Sequence, residues 1–149
     1  MENPNLTTIC DKAFLTNIVN AYNGRIKGIY LPESVTYIGQ QAFEGLRSLE
    51  YVSDKYVATG ETGYLNNDLE YIGLRAFKNT NAIIKKLPDN EKFTRVESQT
   101  FEGCTGIEIT ELPPNIEFIG YSAFNGASHV NVSKFGWTDD LVTSKLHTI

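Results

Sequence analysis

Histidine occurs only twice in this chain, as His129 and His147, and each stands alone. Metal sites and nucleophilic triads draw on histidine, cysteine and carboxylate groups at set spacings. The sequence therefore holds no catalytic constellation, and no metal or cofactor is expected. No glycine-rich phosphate loop follows a candidate strand, since Gly60, Gly63 and Gly73 lack the accompanying lysine pattern. Long apolar runs are missing too: none approaches the roughly eighteen residues that a membrane helix needs, so no membrane insertion is expected. The opening residues, MENPNLTTICDKAF, contain no basic segment followed by an apolar one, hence no secretory leader. Either the protein is intracellular or the chain has been trimmed. Basic excess is also absent. Lys plus Arg number 13 against 18 Asp plus Glu, a formal charge of −5, which is the opposite of a nucleic-acid binder's footprint. With two cysteines there is no disulfide framework, and 149 residues suffice for one domain with its own core.

What the chain has in quantity is repetition. The hexapeptide IGQQAF (38–43) recurs as ICDKAF (9–14), IGLRAF (72–77) and IGYSAF (119–124), with a degenerate copy VESQTF (96–101). The phenylalanines Phe14, Phe43, Phe77, Phe101 and Phe124 are spaced by 29, 34, 24 and 23 residues. The last two spacings fall in the leucine-rich-repeat range, and the first two read as the same unit with insertions. Other features keep step. Leu31-Pro32 and Leu112-Pro113 lie 12 residues before a Phe, and Leu87-Pro88 lies 14 before one. A turn glycine follows two residues after it at Gly45, Gly103 and Gly126, and an aliphatic residue six after it at Leu49, Ile83, Ile107 and Val130.

Segments such as GIEITEL (106–112) begin with the apolar–polar alternation of a half-buried strand. Proline closes each segment because it cannot donate to a ladder. A second short extended piece (116–119) and a tight helical turn near the Ala-Phe complete the unit, which has no room for a helix of ten residues. One unit cannot bury its aliphatic face alone, so units stack, with Phe and aliphatic residues forming internal columns.

The pattern I-x-L-P-x-x-V-x-x-I-G-x-x-A-F-x-G resembles the BspA-type (Treponema-type) leucine-rich repeats of bacteria and some protists, over nearly the whole chain. The resemblance implies a repeat solenoid with one parallel β-sheet on its concave side. Short second strands and single helical turns would lie on the convex side. It also implies an adhesin, receptor or interaction module rather than an enzyme. Cys10 and Glu97 replace the motif glycine, and Leu-Pro is missing before the Phe14 and Phe77 copies, departures that bear on local coil geometry.

Read in order, residues 1–24 form a partial first coil and cap, and 136–149 a C-terminal cap that includes Trp137, Leu141, Val142 and Leu146. Ile26, Ile29 and Leu31 point inward from the first full strand. Residues 53–68 are an insertion whose core, around Gly60 to Gly63 in sequence, reads as a hairpin. It is either an elaborated coil closure or a protruding recognition loop. Cys10 and Cys104 sit three coils apart, about 14 Å at the ~4.8 Å strand spacing, beyond the ~7 Å a disulfide spans. Two free structural thiols are expected. Basic residues gather between Arg75 and Arg95 in sequence, while residues 96–133 hold five glutamates and no Lys or Arg. Lys85 and Lys86 thus neighbour Glu108 and Glu111, either as cross-strand ion pairs or as a bipolar face that orients a partner.

The binding surface expected from this reading is the outward side of the strands: Lys27, Tyr30, Glu50, Tyr51, Lys85, Lys86, Glu108, Glu111, Asn131 and Lys134. The expected function is non-enzymatic binding of a protein partner through this face and the hairpin; the sequence leaves the oligomeric state open, with a monomer favoured. The alternative is a small acidic intracellular inhibitor or decoy that blocks a target enzyme.

Overall fold

The computed structural model describes residues 5–16, 26–53, 63–127 and 129–130. They contain seven short strands: β1 (Thr8–Ile9), β2 (Gly28–Tyr30), β3 (Tyr37–Ile38), β4 (Tyr51–Ser53), β5 (Tyr71–Ile72), β6 (Arg95–Val96) and β7 (Phe118–Ile119). All pairing is parallel, in sheets ordered β1-β3-β5, β2-β4 and β6-β7. The register sets equivalent motif residues side by side. Ile9 pairs with Ile38, Ile38 with Ile72, and Val96 with Ile119. Isolated bridges at Tyr51–Ile83, Tyr64–Lys86 and Ile84–Ile107 extend the β2-β4 ladder into the later repeats.

The second short strands pair into two sheets, β1-β3-β5 and β6-β7, beside the β2-β4 sheet, with a break between β5 and β6. The break between β5 and β6 has a local cause. Motif glycines lie hard against the preceding repeat: a Cβ on Gly39 would come within 2.4 Å of the Asp11 amide nitrogen, one on Gly73 within 2.6 Å of that of Gln40, and one on Gly120 within 2.4 Å of that of Ser98. That closeness lets Gly39, Gly73 and Gly120 donate to the carbonyls of Ile9, Ile38 and Val96 at 2.8–2.9 Å. Glu97 brings a Cβ to the same place, and no such bond joins it to Ile72. Side chains take over there. Asn90 Nδ2 donates to the carbonyls of Asn67 and Leu69, and Thr100 Oγ1 reaches the Gly73 carbonyl at 3.4 Å.

The helical turn expected at the Ala-Phe is replaced by another arrangement, and no helix occurs among the described residues. Lys12, Gln41, Arg75, Gln99 and Ser122 all have φ between 52° and 58°, and Gly45, Asn79, Gly103 and Gly126 between 57° and 77°. One left-handed residue in the first turn and two in each of the other four cannot continue a right-handed helix. They turn alternate N–H groups toward the next repeat instead. Lys12, Phe14 and Thr16 donate to Gln40, Ala42 and Glu44; Gln41, Phe43 and Gly45 to Leu74, Ala76 and Lys78; Arg75, Phe77 and Asn79 to Ser98, Thr100 and Glu102; Gln99, Phe101 and Gly103 to Tyr121, Ala123 and Asn125. Three bonds of 2.7–3.3 Å thus join the turns at each of four interfaces.

Inside this turn ladder the five phenylalanine rings stack at centroid separations of 5.4, 5.1, 5.7 and 5.5 Å. Phe43, Phe77 and Phe101 are fully buried with Leu31, Val35, Ile38, Leu49, Ile72, Ile84 and Ile107. Phe124 is half-buried, and Phe14 is 38% exposed because nothing among the described residues covers its outer face. Ile26 was expected inward and is exposed, while Ile29 is half-buried and Leu31 buried. Both cysteines are free; Cys104 is buried, but Cys10 is exposed and not part of the core.

The Leu-Pro that is missing before Phe77 has a substitute. Leu65-Asn66 stands 12 residues before that ring, as Leu31-Pro32 stands before Phe43. Leu65 is buried in the core, and Asn66 Nδ2 donates to the Pro32 and Val35 carbonyls at 3.0 and 2.7 Å. Residues 63–66 therefore close a coil. The hairpin expected around residues 60–63 lies largely outside the described residues, as do both terminal caps beyond Thr16 and Val130.

Candidate interaction surface

The β2-β4 ladder and its bridges carry most of the expected binding residues. Its inward positions, Leu31, Val52, Leu65, Ile84, Leu87, Ile107 and Ile109, are buried. Alternation of side chains along a strand then sends the intervening residues outward. Tyr51 and Tyr64 are each 42% exposed. Lys27 and Glu50 form an ion pair at 3.5 Å, held by the Glu50 and Tyr51 amides donating to the Lys27 carbonyl. Tyr30 is half-buried at the end of β2, beside Ser53.

Lys85, Lys86, Glu108 and Glu111 line one groove with Tyr64, Asp89, Thr110, Leu112, Pro113 and Pro114, of about 510 Å³. The cross-strand ion pairs are not formed: among the described residues neither lysine bridges to Glu108 or Glu111. Lys86 turns to Asp89 on its own repeat at 4.0 Å, and Asp89 lines the groove as well. Lysine, carboxylate, tyrosine and proline side chains therefore line the same space. Asn131 and Lys134 lie outside the described residues.

Glycine positions Tyr64 at this groove. The chain leaves β4 at Ser53 and returns at Gly63, whose φ of +98° only glycine adopts without strain. Gly63 donates to the Val52 carbonyl at 3.2 Å and accepts from the Lys85 amide at 2.7 Å. Tyr64, on the groove wall, follows at once.

A second outward column escaped the sequence reading. Tyr37 and Tyr71 stack at 4.9 Å, and the Arg95 guanidinium lies 4.3 Å over the Phe118 ring. Arg95 also pairs with Glu97 at 3.0 Å. Burial, then the charge of Glu97, raises the Tyr71 phenol above its ordinary pKa. The signal was present: these residues all sit immediately before the motif aliphatic. The asparagines that clamp neighbouring coils were missed as well, with Asn81 Nδ2 on the Arg47 carbonyl at 2.7 Å joining Asn66 and Asn90.

Little here suits covalent chemistry. The described residues contain no group of three or more His, Cys, Asp or Glu placed to hold a metal. The Cys104 thiol is pushed up by burial and lies between Thr80 Oγ1 and the Ala82 carbonyl, each at 3.4 Å. No helix of the described residues is long and apolar enough to cross a membrane.

In-register parallel repeats around one shared core define a repeat protein. The chain belongs to the BspA type leucine-rich repeat region family, whose pattern matches residues 7–139 in six copies. Five of these carry the Phe motif. Leucine-rich repeats generally mediate protein–protein interaction or adhesion and are typically non-enzymatic. No curated protein and no solved structure matches the chain.

Proposed function

We propose that the protein is a non-enzymatic binding module that engages a protein partner through the β2-β4 ladder and its groove. In this reading the repeats form a solenoid whose binding side is this ladder. The observation that carries it is the groove's composition: Lys85, Lys86, Glu108 and Glu111 line the same space of about 510 Å³, and neither lysine is bridged to either glutamate. Charges held apart on a rigid scaffold attract and orient a partner bearing the complementary pair. Tyr51 and Tyr64 add exposed aromatic area, and tyrosine is enriched at interfaces.

The test is capture of partners by the immobilised chain, comparing wild type with two variants. One carries Lys86→Glu, Glu108→Lys and Glu111→Lys; the other, a control on the opposite column, carries Tyr37→Ser. A partner retained by wild type and Tyr37→Ser but lost from the charge-reversed chain supports the groove. Equal retention by all three removes it.

A further inference from the structure

The groove lies where two neighbouring extended segments fall out of phase. Ile84 bridges to Ile107, and Glu108 donates to the Ile84 carbonyl at 2.8 Å. Just beyond, Lys85 and Lys86 both donate to one carbonyl, that of Gly63, at 2.7 and 3.4 Å. Two residues opposite one make a bulge. Both lysines are exposed there, between Ile84 and Leu87, which are buried. Counted from the Ile84–Ile107 bridge, Lys86 comes level with Ile109, Leu87 with Thr110 and Asp89 with Leu112. Lys86 is exposed where Ile109 is buried, and Leu87 is buried where Thr110 is exposed. Level residues of a parallel ladder share a face, so these segments cannot pair further. Among the described residues no backbone bond joins 85–93 to 109–116. The asparagine clamp stops at the same place. Asn66 and Asn90, each 11 residues before a motif Phe, hold two carbonyls of the preceding repeat. Pro113 occupies that position before Phe124 and has no donor to offer.

On the reading that the groove binds the partner, we infer that what enters it is an extended polypeptide segment carrying an acidic and a basic residue two positions apart. Every residue that lines the groove is among those described. From the bridge to the level of Asp89 and Leu112 it runs about 16 Å, room for about five extended residues. Five of its ten lining residues are charged, whereas small-molecule pockets are mostly apolar. Two extended segments that cease to pair leave strand edge along the gap between them. Extended peptides dock on such edges through main-chain bonds, and side-chain pockets set which peptide is taken. Charge sets the pattern here. Lys85 and Glu108 are level and both exposed, and among the described residues neither forms an ion pair. Lys86 meets Asp89 only at 4.0 Å between exposed side chains, a contact worth little. Glu111 stands two levels beyond Lys86, about 7 Å along a strand. Positions i and i+2 of an extended chain have that spacing and point the same way. An acid at one would meet the lysines while a base at the other meets Glu111.

A displayed library of random dodecapeptides, selected on the immobilised chain, tests this. Expected winners share an acidic and a basic residue two apart, and bind as synthetic peptides in fluorescence anisotropy. Glu111→Lys should weaken them about ten-fold or more; Glu111 is exposed, and a thermal melt checks that the variant folds as wild type does. Pro113→Asn, which returns a clamp to the split, should weaken the same peptides without lowering Tm. Methylating every second peptide amide should abolish binding in one register and spare it in the other, because a strand bonds along one edge. Winners without the charge pair overturn the inference, as does binding indifferent to both substitutions or lost in both methylation registers. A partner captured through the groove while no such peptide binds strikes the extended segment alone and leaves the groove standing.

Discussion

At the scale of single residues, the cost of a substitution follows position in the phenylalanine column. Phe101 has a ring on either side and no exposure. Phe101→Ala should lower stability in urea melts by about 3–5 kcal/mol through lost burial and a cavity. Phe14 has one ring neighbour and is 38% exposed, so Phe14→Ala should cost roughly a third as much. Glu102 carries a pH-dependent contribution. Its hydrogen bond from Lys78, at 2.7 Å, and another from Gln99 hold its carboxyl below the ordinary range despite partial burial. Its folded value being depressed, this stabilisation is fully present above the ordinary carboxylate range and disappears as pH falls through the folded value. Glu102→Gln should therefore be less stable than wild type near neutrality, by about 1 kcal/mol. The gap should close in acid, as stability measured against pH would show. The cysteines should separate kinetically: Cys10 titrates at once with a thiol reagent, and Cys104 reacts only at the rate of opening.

At the scale of elements, one carbon atom decides whether the strand ladder runs on. Glu97→Gly should let β6 settle against β5 and pair its amide with the Ile72 carbonyl, as Gly73 pairs with Ile38. The expected gain is about 0.5–1.5 kcal/mol, partly offset by loss of the exposed Arg95–Glu97 pair. Hydrogen exchange at residue 97 should slow as the bond forms. Much of this level was legible beforehand: the Phe spacing and the Ile-Gly pairs located the strands, and Glu97 stood out as a departure. The turn was not legible. Lys12, Gln41, Arg75, Gln99 and Ser122 share a left-handed backbone but no side-chain type, so nothing in their identity announced it. Asn66 was hidden because it meets the local need of a proline position by hydrogen bonding.

At the scale of the whole molecule, stability is distributed along the stack rather than uniform. Units that contact only their neighbours open from the ends. Amide exchange should be slowest at Phe43, Phe77 and Phe101, whose amides are bonded to the next turn and whose rings are buried, and fastest in residues 5–16. The candidate site was legible in part at this scale. Repeat spacing brought Lys85, Lys86, Glu108 and Glu111 together in the sequence reading, and the structure sets them around one groove. Tyr64 could not be foreseen there, because its place depends on where the insertion rejoins the ladder.

The turn ladder has an electrical consequence. In each of its three files the peptide carbonyls face the first repeat and the N–H groups the last. Peptide dipoles of about 3.5 D that add along an α-helix axis here add across the chain, from repeat to repeat. The strand side opposes it: Gly39, Gly73 and Gly120 donate back to the preceding repeat, so the peptide dipoles of turn and strand run in opposite senses within each coil.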